Sequence, residues 1–205
     1  MCGRLNIIDE PILNWLKVTL GVDFAIEMTL DLRPSQAIGI IIESAGALQQ
    51  LNATWGIKPQ WSKSLLINAQ SETVAEKPTF KKAFANRRCL VPCTGWYEWK
   101  DEGRAGKSKY LFTRADGDPW LMGGIWYPSG TGPQLVTLTT HPNSKCSTYH
   151  NRMPVLIAPE QIDDWFGLAP EAQTPIMEPV PEEWVKIEGA KPTLSDDARP
   201  HNLRH

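Results

Sequence analysis

The sequence predicts an α+β fold with a mostly antiparallel, barrel-like β-sheet core and a few peripheral helices. Short runs of strand-forming residues recur along the chain, set off by glycine, proline and serine turns. Helical signals are few and brief, a balance that favours a sheet-centred α+β architecture. The composition, 41% apolar and 21% charged over 205 residues, is that of a globular chain with a real core. The length favours a single domain, residues 1–188, followed by a loosely ordered tail, 189–205.

In chain order, Pro11 to Leu20 reads as an amphipathic helix, with Asp9 or Glu10 near its cap and Gly21 after its end. Leu32 to Ile42 and Ala47 to Ile57 read as strands joined by a turn through Ser44, Ala45 and Gly46. Glu76 to Asn86 is a mixed loop and short helix opened by Lys77-Pro78. Cys89 to Lys100 is a strand whose partner is Tyr110 to Arg114, across the charged loop Asp101 to Lys107. Trp120 to Tyr127 and Gln134 to Thr140 form a second hairpin, turned at Ser129-Gly130-Thr131-Gly132. Met153 to Ile157 is a short strand, and Pro159 to Phe166 opens a helix.

No apolar run approaches the roughly 18 residues that span a bilayer, and no signal peptide precedes Cys2. Four cysteines without a secretory signal argue for a reducing, cytoplasmic setting rather than a disulfide framework. Cys89-x-x-x-Cys93 lacks the second pair or nearby histidine that would complete a zinc site, so neither metal nor cofactor is expected. A net charge of −2 means that any nucleic-acid surface is local rather than global. Nine tryptophans are unusual in such a chain, and some are expected to line a surface cleft.

Cys2, in Met1-Cys2-Gly3-Arg4, is the first candidate site residue. Trimming of Met1 would leave a thiol and an α-amine on adjacent carbons. The amine's reference pKa of about 7.7–8.0 leaves a useful fraction unprotonated at neutral pH. Such a 1,2-aminothiol attacks an aldehyde to give a Schiff base and then closes a thiazolidine ring. Its thiol can equally attack an acyl carbon, with the amine as base. Glu98, in Gly95-Trp96-Tyr97-Glu98-Trp99-Lys100, shares a strand face with Trp96. Desolvation there would raise its pKa and suit it to proton transfer, whereas pairing with Lys100 or Arg88 would make it structural. Asn68, closing an apolar run, reads as a turn residue or a catalytic one. His150 precedes Met153-Pro154 on an ordered segment, with His141 as its rival.

The segments Met1-Cys2-Gly3-Arg4, Trp55-Gly56-Ile57-x-Pro59, Asn68-Ala69-x-x-Glu72-Thr73, Gly95-Trp96-Tyr97-Glu98-Trp99 and His150-x-Arg152-Met153-Pro154 occur in one characteristic order. In this the chain closely resembles the SOS-response-associated peptidase (SRAP) family of abasic-site-processing proteins, from Cys2 to about Phe166. The resemblance implies a monomeric single-domain protein that binds single-stranded DNA in the DNA-damage response and needs no cofactor. It implies that Cys2 cross-links covalently to abasic sites, with Asn68, Glu98 and His150 as active-site partners, and that the protein associates with the nucleoid when bound. A peptidase activity tied to removal of residues ahead of the cysteine, and a lyase side activity, come with the same family. Around the cleft the resemblance points to Arg4, Pro34, Trp55, Trp61 and Arg152 as DNA-contacting residues.

The sequence also departs from that pattern. Gln70 stands where arginine is common, Leu30-Asp31-Leu32-Arg33-Pro34 replaces a segment approximating Tyr-Asn-x-Ala-Pro, and a tryptophan pair is reduced to Trp61. Arg33 is expected to bind the phosphate that an arginine at position 70 would have held. Trp61 is the better candidate for base stacking, worth ~1–3 kcal/mol per base, while Trp55 beside Gly56 reads equally as core. Lys58, Lys63, Arg87 and Arg88 would extend a basic track. The competing reading is an N-terminal-nucleophile cysteine peptidase or amidohydrolase, which would need an oxyanion hole facing the thiol.

Overall fold

A computed structural model describes residues 3–190, Ala105 by its backbone alone. The early strands are β1 (Leu5–Ile7), β2 (Thr29–Leu32), β3 (Ala37–Ser44), β4 (Ala47–Trp55) and β5 (Asn68–Gln70). They are followed by β6 (Arg88–Cys93), β7 (Gly95–Asp101), β8 (Lys107–Arg114), β9 (Trp120–Tyr127) and β10 (Gln134–Thr140). The two-residue β11 (Met153–Pro154) and β12 (Val185–Gly189) complete the set. The helices are α1 (Asp9–Trp15), α2 (Pro78–Asn86), α3 (Ser144–Ser147) and α4 (Ile162–Gly167).

These strands form two sheets, one in the order β12-β8-β7-β1-β2 and a second running β11-β10-β4-β3-β6-β9. The second closes on itself because β9 pairs with both β6 and β10. All pairings are antiparallel except those of β10 with β4 and β5. The barrel-like, mostly antiparallel core expected from the sequence is present. The faces turned toward each other share one hydrophobic cluster, with Leu5, Ile7, Trp96 and Phe112 from the first sheet and Ile40, Leu90, Met122 and Leu138 from the second.

Two expected strands are each broken where the chain passes between the sheets. The run from Leu32 to Ile42 is interrupted by the turn Arg33–Gln36, so β2 and β3 lie in different sheets. Pro34 carries no N–H for a ladder, and Ser35 takes a left-handed φ of 70°. The run from Cys89 to Lys100 divides at Thr94, whose N–H donates to Asn6 O and whose hydroxyl accepts from Ile8 N–H. Next to it, Gly95 passes so close to β8 that a Cβ would sit 2.3 Å from Phe112 O. The expected hairpin turn is present, with Ala45 and Gly46 both at positive φ, and the β9–β10 hairpin is found as expected. The first helix starts two residues early and widens into a π turn, Leu16–Leu20, before Gly21. Of the expected tail, Gly189 ends β12 and Ala190 N–H donates to Lys109 O. Residues 191–205 lie outside the described residues.

Arg88 does not extend a basic track; it is buried. Its guanidinium donates to Phe84 O in α2 (2.9 Å) and to Trp165 O (2.5 Å), Phe166 O (2.9 Å) and Leu168 O (2.7 Å) around the end of α4. These are helix-end carbonyls with few partners inside their own helix, and they attract a cation. Replacing Arg88 by Met would remove four bonds from a charged donor. Phe84 O and Phe166 O would be left without it, and Trp165 O and Leu168 O to the longer bonds from Gln173 Nε2, so a loss of about 3 kcal/mol is expected. In thermal unfolding that corresponds to a Tm lowered by roughly 10 °C for a domain of this size.

Candidate active site

The alternation of β7 gives its two faces different surroundings. Glu98 pairs across the ladder with Tyr110, and Trp96 with Phe112, so these four share the inward face. Trp96 stacks on Phe112 at 5.0 Å and lies 6.2 Å from Trp120. Glu98 is only 3% exposed among these rings. Burial pushes its carboxyl up from the ordinary 4.5 to about 7, because the charged form is the one that loses hydration. The neighbouring Cys146 thiol is pushed up to about 12, chiefly by burial and further by the Glu98 charge. The N-terminal ammonium acts against this rise in Glu98, by its charge and by a hydrogen bond, without cancelling it. The side-chain cations that the sequence offered as ion-pair partners of Glu98 are engaged elsewhere. Arg88 holds helix ends, and Lys100 lies 5.0 Å from the centre of the Tyr149 ring.

Asn68 opens β5 rather than closing a strand, and sits opposite Thr137 of β10. The Thr137 hydroxyl donates to Asn68 Oδ1 at 2.5 Å. This bond fixes the orientation of the carboxamide. Two residues along β10, Thr139 O accepts from Arg152 Nη2 at 2.6 Å. Arg152 also grips both carboxylate oxygens of Glu72 at 2.6 and 2.8 Å and holds that carboxyl below its ordinary range. His150 joins the same network: its Nδ1 lies 3.0 Å from Arg152 N–H and 3.3 Å from Arg152 O. Partial burial lowers the His150 pKa, favouring neutral imidazole. His141 is exposed, with its Nε2 3.4 Å from Glu178, and bears on this network through its charge near Glu72.

The other face of β7 carries charge. Asp31 accepts from Arg4 at 2.5 Å, from Arg33 at 3.0 and 3.2 Å, and from Lys109 at 3.3 Å. Arg4 stands 5.7 Å from the Trp99 ring centre, and Lys109 lies 4.3 Å from that of Tyr97. Trp61 is 69% exposed in the loop before β5 that the Ile57–Leu66 bridge closes, and Gln70 at the end of β5 is also exposed. Trp55, by contrast, is fully buried and donates its indole N–H to Ile67 O, so in this structure it is a core residue that presents no face. Pro34 is half-buried in the turn between the sheets. Cys2 lies outside the described residues.

Sequence reasoning assigned no role to Thr137, Tyr149, Asp31 or Glu72. Glu72 and Asp31 stood in quoted segments, but their partners, Arg152 and the three cations, are distant in the chain. Nothing in the sequence distinguishes Thr137 from other strand threonines.

The family model for the SOS response associated peptidase (SRAP) matches residues 1–193. The chain belongs to the SRAP family. Among similar SRAP proteins, abasic site processing protein YoqW of Bacillus subtilis is 29% identical over 180 residues, covering 82% of this chain and 80% of that protein. Abasic site processing protein YedK of Escherichia coli is 34% identical over 117 residues, covering 55% of this chain and 52% of its own. A crystal structure of a Bordetella bronchiseptica protein shares the fold with a TM-score of 0.80 at 21% identity, covering 93% of this chain and all of that one. The site geometry above therefore sits within an SRAP fold.

Burial of Glu98 has a consequence for stability. Between its ordinary pKa and about 7, the folded protein keeps the Glu98 proton that the unfolded chain releases. The folded state then binds more protons, so this contribution to stability falls as pH rises through that window and is flat above it. Glu98→Gln removes the decline. Relative to wild type, the variant is expected to gain on the order of 3 kcal/mol in urea unfolding between pH 4 and pH 8.

Proposed function

We propose that this protein processes abasic sites by binding single-stranded DNA and capturing the damaged sugar covalently through Cys2. The observation that carries the reading is the Glu98 carboxyl, buried in an SRAP fold and poised to exchange a proton near neutrality. Relatives named for abasic-site processing support the substrate class.

The chemistry follows from the groups available. Once Met1 is removed, the Cys2 amine adds to the C1′ aldehyde of the open-chain sugar, forming a carbinolamine. Glu98 in its protonated form donates to the departing hydroxyl, water leaves, and a protonated imine results. The Cys2 thiol then gives its proton to the Glu98 carboxylate, and the thiolate adds to the imine carbon and neutralises the nitrogen, closing the thiazolidine and restoring the acid. Overall, aldehyde and aminothiol give thiazolidine and one water. His150 serves as a second acid/base group, and the Asn68 carboxamide orients the sugar. If the imine persists without ring closure, loss of the proton at C2′ and β-elimination of the 3′ phosphate give strand cleavage, a lyase side reaction. The peptidase of the family name fits removal of Met1. Trp61 stacks on an unpaired base, Gln70 and Pro34 border the same path, and Arg4 and Arg33 face phosphate.

Protein shown by mass spectrometry to lack Met1 is expected to form a denaturation-resistant adduct with single-stranded DNA carrying one abasic site. It should form none with undamaged DNA, and Cys2→Ala should abolish the thiazolidine product. Glu98→Gln should slow cross-linking and its reversal by roughly 10²-fold. Equal adduct from protein that retains Met1 would refute the mechanism.

A second expectation concerns Arg33, which is 42% exposed and shares Asp31 Oδ2 with Arg4. Arg33→Ala should flatten the plot of log affinity against log salt by about 0.7, the value of one phosphate contact on a single strand. Affinity should fall similarly for every DNA sequence, with the cross-linking rate at saturating DNA unchanged.

A further inference from the structure

Residues Tyr149 to Arg152 bridge the two sheets, and His150 lies between the two anchor points. On one side the Tyr149 ring stands edge-on to Tyr110 (4.7 Å) and Phe112 (5.4 Å) of β8, with the Lys100 ammonium over it. On the other, Arg152 is held by both oxygens of Glu72 and by Thr139 O of β10. Both Nη atoms of Arg152 are thus occupied by protein acceptors, and its side chain is 15% exposed. Its Nε is buried with no hydrogen-bond partner among the described residues. A guanidinium so committed is a poor phosphate ligand but a good strut. It fixes the main chain at Arg152, whose N–H lies 3.0 Å from His150 Nδ1. That contact makes Nδ1 the acceptor in neutral imidazole and leaves the ring proton on Nε2. Protonation at Nδ1 would require the ring to turn toward Arg152 O at 3.3 Å.

We infer that Glu72 is a positioning residue for the abasic-site reaction. Through a bidentate pair with Arg152 it holds the His150 ring in its Nε2–H tautomer and sets its direction. The inference rests on the reading above that His150 is an acid/base group. It gives Arg152 a supporting role in place of the DNA contact that the family resemblance implied. Glu72 is 46% exposed and Glu72→Gln keeps one acceptor oxygen for Arg152, so its effect should appear in rate and in His150 more than in folding.

The test uses Met1-free wild type, Glu72→Gln, Arg152→Lys, His150→Ala and the Glu72→Gln/His150→Ala double variant. Arg152→Lys keeps the charge and removes the fork that grips both Glu72 oxygens. Glu72→Gln and Arg152→Lys are each expected to slow cross-linking at saturating DNA about as much as His150→Ala does. Affinity for undamaged single-stranded DNA should stay within about twofold of wild type. The double variant should be no slower than His150→Ala alone, since the two residues act through one group. Independently of any reaction, ¹⁵N chemical shifts of the His150 ring should show the Nε2–H form in wild type and a tautomer mixture in Glu72→Gln. Multiplying rate losses in the double variant would overturn the inference. So would weakened DNA affinity in Arg152→Lys with a wild-type rate, or unchanged His150 shifts in Glu72→Gln. If wild type forms no adduct, the proposed function fails, and the ring shifts still decide whether Glu72 positions His150.

Discussion

Strand β10 is hydrogen-bonded along both edges, and the placement of the site depends on this. One edge carries β9 and then β11, and the other carries β4 and then β5. Ladder pairing fixes which side chains meet, because a shift of one residue would turn every side chain to the opposite face. The register Thr137↔Asn68 puts a hydroxyl against the Asn68 oxygen, and Thr139↔Pro154 leads the chain back so that Arg152 reaches Thr139 O. Asn68, Arg152 and, through Arg152, His150 are therefore located by one strand. The first sheet contributes Glu98 and, through Tyr110 and Phe112, the rings that hold Tyr149. The candidate site is the seam between the sheets, and both must fold for it to exist.

Two buried ionisable side chains show how surroundings decide between structure and chemistry. Arg88 leaves water but meets four carbonyls, so it keeps its charge and ties α4 to α2. Glu98 leaves water among aromatic rings, and its affinity for a proton rises instead. The first arrangement fixes a side chain in one state. The second gives it two states close in free energy near neutrality, as a group that must both donate and accept protons requires.

Much of the architecture was legible in the sequence because it is local. The helix start at Pro78, the turn through Ala45 and Gly46 and the β9–β10 hairpin depend on neighbours in the chain. The shared face of Trp96 and Glu98 followed from strand periodicity, and the structure's ladder pairs both with aromatic partners. Legibility failed where the cause was distant. The breaks at Arg33–Gln36 and Thr94 exist because two sheets must be joined, and an apolar run does not record which sheet it enters. Arg88 looked like surface charge because its acceptors, the carbonyls of residues 165, 166 and 168, are ordinary backbone groups far along the chain. Trp55 and Trp61 both read as possible stacking rings. Only the fold separates the indole bonded to Ile67 O from the one that faces solvent.

The two faces of β7 also keep the basic side chains around Asp31 apart from the tuned carboxyl, whose charged neighbour is the N-terminal ammonium. A DNA-binding surface needs cations, yet one guanidinium about 4 Å from Glu98 would contribute about 4 kcal/mol at an effective dielectric of 20. That is enough to return the carboxyl to its ordinary range and deprive it of a proton at neutral pH. Arg4 and Lys109 instead stand over Trp99 and Tyr97, which alternate with Glu98 along the strand and point the opposite way. Asp31 at their centre offsets one of the three positive charges and restrains long side chains that would otherwise lose freedom on meeting a phosphate. The carboxylate that departs from the family's usual segment thus orders the basic group, while the backbone of β7 separates it from Glu98. Strand alternation lets a single seven-residue strand present a buried carboxyl on one side and a cluster of cations on the other.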